Sequence, residues 1–208
     1  MNKICEKYCN EVKKIYGKYI ESIIIYGSNI YNVNSSDLDL CLILNYRTEK
    51  LDDSIIEFTK KFHKDNNLKL DEEVPYKNKL IYTFNELEDS IKNSPFYLNE
   101  KPIIKDIVKD SDFLSSLEMK KRLLINILTT DHVTIGKSIK KYEDEAIKLM
   151  IKVIKEFYNL KKINANDLIE YFYTNPKTKS TGEMYLGYKK NRPEKHQYLL
   201  RIIEDNLI

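Results

Sequence analysis

Asp37-Leu38-Asp39 opens an apolar run that extends to Leu44. In a strand, side chains alternate faces, so Asp37 and Asp39 would project to the same side. Two carboxylates held that close repel each other unless a cation sits between them. Carboxylate oxygens are the ligands that Mg²⁺ takes. Upstream, with eight residues between, stands Gly27-Ser28. Gly27 would let a backbone or a phosphate come close, and Ser28 offers a hydroxyl and an N–H to an anion. A phosphate cradle followed by a carboxylate pair is a pattern for Mg²⁺-nucleotide chemistry.

The flanking elements would have to hold those groups. Ser22 to Tyr26 is a short β-branched run that reads as a buried strand, stopped by Gly27-Ser28. Glu21 to Leu44 therefore reads as strand, turn, short helix or loop, strand. Before it, residues 2 to 18 carry Ile4, Cys5, Tyr8, Cys9, Val12, Ile15 and Tyr16 at helical spacing. After it, a helix is expected from about Leu51 to His63, with Ile55, Ile56, Phe58, Thr59 and Phe62 inward. Asp65-Asn66-Asn67 reads as a turn, and Leu68 to Val74 as a third strand closed by Pro75. The expected architecture is α+β: a small mixed sheet with helices on one face, followed by a helical C-terminal subdomain.

Gly27-Ser28, the eight-residue interval and Asp37-Leu38-Asp39 resemble the signature of the DNA polymerase β-like nucleotidyltransferase superfamily. The resemblance covers roughly residues 20 to 75. It implies a third carboxylate on a later strand, for which Asp71 or Glu73 stands in line. Asp71 directly follows apolar Leu70 and is preferred, with Glu73 then a substrate contact. The resemblance implies attack of a hydroxyl on the α-phosphorus of a nucleoside triphosphate, ATP first among them, with release of pyrophosphate. Two Mg²⁺ ions, replaceable by Mn²⁺, would stabilise the attacking and leaving oxygens. Asp37, Asp39 and Asp71 would hold them, and Gly27 and Ser28 would take the terminal phosphates. Aminoglycoside and lincosamide nucleotidyltransferases are the nearest in build, so the expected acceptor is a small molecule with a hydroxyl. Such acceptors are cationic, and Glu72, Glu73, Glu86, Glu88 and Asp89 would supply an acidic cleft. The alternative is a protein-modifying, AMPylating member of a toxin–antitoxin pair.

Composition sets bounds on these readings. The chain has 208 residues, 42% hydrophobic and 32% charged, which suits a globular protein with an adequate core. Its net charge of +3 implies no polycationic surface, so a nucleic-acid partner is not expected. Cys5, Cys9 and Cys41 form no CxxC pair, which argues for a reducing compartment, and the cytoplasm is expected. No apolar run reaches the length of a membrane span, and the start lacks a signal-peptide core.

Beyond Pro75, Lys79 to Phe84 reads as a further strand or extended segment, and Asn85 to Lys92 as a short helix capped by Asn85. Ser94 to Pro102 is the expected boundary, giving a catalytic domain over 1–95 and a helical part over 96–208. Helices are expected over Ser115–Leu128 and Ile135–Leu160. Gly136-Lys137-Ser138 is not a P-loop, because position 131 is Asp where that loop needs Gly. Lys137 would instead reach the triphosphate or lie on a solvated face. In the segment Ser180 to Pro193, Tyr185 and Tyr188 could stack on a base, and Lys189 and Arg192 could neutralise phosphate or an acidic acceptor. Tyr185 and Lys189 are assigned to the nucleotide, Tyr188 and Arg192 to the acceptor. Tyrosine-rich helices would allow a homodimer.

Overall fold

The computed structural model describes residues 3–30, 38–70, 75–98, 100–102, 117–129 and 132–157. The first helix, α1 (Lys3–Tyr16), forms where the apolar stripe is, and buries Cys5, Tyr8, Cys9 and Val12. Ile15, expected inward, is 55% exposed. Tyr16 takes the next place on the stripe, and its hydroxyl reaches the Ser54 Oγ at 2.8 Å.

Strands β1 (Ile20–Tyr26) and β2 (Leu40–Leu44) run antiparallel, with Ile23 opposite Leu42 and Ile25 opposite Leu40. Helix α2 (Glu49–Asp65) follows, its first turn capped by the Thr48 side chain. The short α3 (Tyr76–Lys79) leads into β3 (Ile81–Thr83), which lies parallel to β2 with Ile81 opposite Leu42. Leu68–Leu70, expected to begin a third strand, has no strand structure, and the rest of that run lies outside the described residues. The place beside β2 goes to Ile81–Thr83, whose Ile and Tyr side chains are buried.

Helix α4 (Phe84–Lys92) starts two residues before its expected cap. Thr83 and Glu86 form a reciprocal capping box in place of Asn85 and Glu88. Helix α5 (Leu117–Thr129) comes next. The run Ile135–Leu160 is not helical from its start: His132–Gly136 is a strand, β6, and the helix α6 begins at Lys140. Val133-Thr134-Ile135 is a β-branched run, which favours a pleated, half-buried place. β6 pairs antiparallel with β1, Ser22 opposite Gly136 and Tyr26 opposite His132.

The sheet order is thus β3-β2-β1-β6, a mixed four-stranded sheet in an α+β fold. One face carries Ile23, Ile25, Leu40, Leu42 and Leu44, in one core with Tyr8 and Val12 of α1 and Ile55 and Phe62 of α2. The Tyr8 hydroxyl and Thr59 Oγ1, 2.8 Å apart, join the two helices inside it. The opposite face is not left to solvent, as a sheet with helices on one side only would leave it. Ile24, Cys41, Ile43 and Tyr82 are fully buried there, and Lys120 of α5 lies over the Tyr82 ring at 5.2 Å. Burial pushes the Cys41 thiol well above its usual pKa, and Cys9 up to about 11. All three cysteines are buried and carry no disulfide.

The chain divides into two compact units, residues 1–95 with 106–142, and residues 96–105 with 143–208. The first holds the four-stranded sheet, so that sheet draws β6 from beyond residue 95. In the second, β4 (Tyr97–Leu98) pairs with β5 (Lys101–Pro102), and the Tyr97 hydroxyl donates to Glu156 Oε2 at 2.8 Å. Among the described residues no helix is long and apolar enough to cross a membrane.

Candidate active site

The turn after β1 is where the backbone departs from the ordinary. Gly27 has φ +63°, in the left-handed region that L side chains seldom occupy. It begins a 3₁₀ turn, Gly27–Ile30. A Cβ on Gly27 would overlap the Asp39 carboxylate, whose Cγ would lie 2.9 Å away. The Asp39 side chain therefore occupies the space that the absent Gly27 side chain leaves. Behind both, the Tyr26 N–H donates to the Asp39 carbonyl at 3.0 Å, extending the β1–β2 ladder to the edge of the turn. The turn itself is anchored inward. Asn29 is fully buried, and the Cys5 thiol of α1 donates to its Oδ1 at 3.2 Å.

Half-buried Asp39 also lines a cavity of about 30 Å³. Thr59 and His63 of α2, Lys69, and Tyr76 and Lys79 of α3 line it too. That volume takes a water or a single ligand oxygen, not a nucleotide. His63 is 3% exposed, and its Nδ1–H donates to the Lys69 carbonyl at 3.0 Å, since a carbonyl can only accept. The His63 carbonyl takes the Leu68 N–H at 2.9 Å, and its ring meets Tyr76 edge-on at 6.2 Å. Lys79 stands over the other aromatic lining group, its Nζ 4.7 Å from the Tyr76 ring centre. The parallel register explains why Lys79 arrives here. With Ile81 level with Leu42, the residues before Ile81 fall beside the Asp39 end of β2.

The structure thus brings Gly27 and Asp39 into contact. Ser28 lies in the 3₁₀ turn by its backbone. Asp37, Asp71, Glu73, Tyr185, Tyr188, Lys189 and Arg192 lie outside the described residues. Lys137 is not brought to the turn. It follows β6 at the Ser22 end of β1, four residues from the Tyr26 end, or about 13 Å along a strand. There its Nζ pairs with Glu21 at 3.0 Å and lies over Phe84 at 4.7 Å. The acidic wall expected from α4 is not at this site either. Thr83, which caps α4, is level with Leu44, about 16 Å along β2 from Asp39. Its acids already have cationic partners: Glu86 pairs with Arg47 and Lys120, Glu88 with Lys92, Asp89 with Lys121.

Several residues at the site escape a reading of the sequence. Asn29 carries no motif. His63 reads as an isolated histidine, although its i+4 spacing from inward-facing Thr59 signals a buried place. Lys69 and Lys79 are two lysines in a lysine-rich chain, and only the β2–β3 register singles out Lys79.

One described side chain at the turn, Asp39, has the oxygen chemistry a hard divalent cation takes, and it faces a turn with no Cβ to crowd it. That donor fits Mg²⁺. Among the described residues no three His, Cys, Asp or Glu side chains cluster as a complete metal site. Comparison with known proteins adds no relative: no family model, no curated protein and no solved structure matches the chain.

Proposed function

We propose that the protein is a metal-dependent nucleotidyltransferase, moving a nucleoside monophosphate from a nucleoside triphosphate such as ATP to a hydroxyl of a small-molecule acceptor. The observation that carries this reading is the fit of the Asp39 carboxylate against the bare, left-handed Gly27. It sets an oxygen donor beside a turn whose backbone a phosphate can approach. Asp39 would hold Mg²⁺ together with Asp37 and with Asp71 or Glu73, and the bound ions would supply charge neutralisation to the attacking and leaving oxygens. The rest falls to the chain itself. The turn N–H groups and the Ser28 hydroxyl would hold the terminal phosphates in place. Asp71 would take the proton of the acceptor hydroxyl as its oxygen bonds to the α-phosphorus and the bond to pyrophosphate breaks. The small cavity leaves the base and sugar to bind on the open surface beside it.

The test is transfer of α-labelled nucleotide, with each of the four ribonucleoside triphosphates, Mg²⁺ and a pooled acceptor set. Wild type should label one acceptor, and Asp39→Asn should lower that labelling by at least about a thousandfold, as loss of a charge-stabilising group does. Asp39→Asn should melt within a few degrees of wild type, because a half-buried side chain of equal size replaces another. Label on a protein band would favour the AMPylating alternative. Equal transfer by wild type and Asp39→Asn would sink the reading.

A further inference from the structure

The cavity beside Asp39 carries more positive than negative charge among its described lining residues: Lys69 and Lys79 against Asp39 alone. The two lysines are held differently from tethered surface charges. The Lys69 backbone is fixed by the His63 ring and lies one residue from a second bond to the same histidine. Lys79 is fixed by the Leu80 N–H on the Tyr76 carbonyl at 2.9 Å, and by the Leu42 N–H on the Leu80 carbonyl at 2.7 Å. Its ammonium rests on Tyr76, and Lys60 of α2 approaches the same ring at 5.7 Å. Lys69 makes no ion pair among the described residues, whereas every α4 acid discussed above has one. Point-like ammonium groups on a small, partly enclosed cavity are suited to phosphate oxygens.

We propose that Lys69 and Lys79 make this cavity a binding site for a phosphate-bearing anion. One phosphate oxygen would enter the cavity while the others meet the lysines at its rim. The proposal deepens the nucleotidyltransferase reading and rests on it for the identity of the substrate, but the binding needs no turnover. It replaces the acidic, drug-receiving cleft with a cationic one. The phosphate has two sources, the polyphosphate tail of the nucleotide or a phosphate on the acceptor.

Calorimetric titration of the full chain at low ionic strength, with and without Mg²⁺, tests it with three probes: inorganic tripolyphosphate, ATP and ribose 5-phosphate. Removing one charge-assisted contact weakens binding about tenfold or more, so Lys69→Gln/Lys79→Gln should lose roughly a hundredfold. Loss of tripolyphosphate and ATP together assigns the site to the nucleotide tail. Loss of ribose 5-phosphate with ATP retained assigns it to the acceptor. Lys69→Arg/Lys79→Arg should restore most of the affinity, and an unchanged melting temperature shows that the Gln variant is folded. Asp39→Asn should bind tripolyphosphate as tightly as wild type or tighter, since it removes a negative charge, while its transfer is lost. A wild type that binds the anion but never transfers nucleotide would end the reaction reading and keep this one. Equal binding of every probe by wild type and the Gln variant, or no binding by wild type, overturns it.

Discussion

Gly27 is held by two independent constraints. Its φ of +63° costs an L residue about 1–2 kcal/mol, and its missing side chain makes room for the Asp39 carboxylate. Gly27→Ala should therefore lower the melting temperature by roughly 2–8 °C and displace Asp39, with a fall in transfer larger than the stability loss explains. Calorimetry and labelled-nucleotide transfer on one preparation would show both effects, and a variant that keeps its activity would place the carboxylate elsewhere. The glycine was legible in the sequence because it ends a β-branched run. Its contact with Asp39 was foreshadowed only by the spacing of the two motifs. Asn29 was not legible, because nothing local distinguishes a buried asparagine from one in a surface turn. Only the approach of Cys5, from 24 residues earlier, gives it a partner.

At the scale of elements, the ends of β2 differ in kind. The Asp39 end carries the cavity, and the Leu44 end carries a closed network of charges. Arg47 donates to Asp52 on α2 and to Glu86 on α4, and Lys120 on α5 pairs with Glu86 as well. Glu86 also accepts the Thr83 N–H at 2.8 Å, so one carboxylate joins the start of α4 to three other segments. Burial pushes the Glu86 carboxyl up, but the hydrogen bond from Lys120 and the charges of Lys120 and Arg47 prevail and hold it below its ordinary 4.5. Lys120 is buried more deeply, and burial leaves its ammonium below the usual lysine value despite the same partner. A depressed carboxylate adds stability that is present in full above pH 4.5 and is lost as pH falls through the lower folded value. Glu86→Gln should accordingly lower the melting temperature at pH 7 and flatten its acid decline. A parallel pair of curves would deny Glu86 that role. The sequence pointed to an acidic, substrate-facing α4 because charge alone does not reveal a partner. Arg47 lies 39 residues before Glu86, and Lys120 lies 34 after it.

For the whole molecule, the order of elements was read correctly as far as α2 and diverged where tertiary pairing decides. Leu68–Val74 and Lys79–Phe84 are both short apolar runs that could fill the edge beside β2, and periodicity cannot choose between them. The segment His132–Gly136 was absorbed into a following helix for the same reason. Its β-branched residues become a strand because β1 offers them an edge. A fragment of residues 1–95 would lack that strand and the cover that α5 gives to Tyr82. It should unfold without a cooperative transition in urea, whereas residues 1–142 should show one with a steep slope. Cooperative unfolding of the shorter fragment would mean that three strands suffice.

The pairing of β1 with β6 also sets a clock on synthesis. Ser22 donates to the Lys137 carbonyl across 115 residues of chain. At a translation rate of about 5–20 residues per second, that interval lasts roughly 6–23 s, counted from the 115 residues. Throughout it, the nascent protein holds Gly27 and Asp39 on a strand with one open edge. The catalytic corner is thus among the first parts made, and its shelter among the last, so the ribosome-bound chain is when this protein is most exposed to mispairing with another strand.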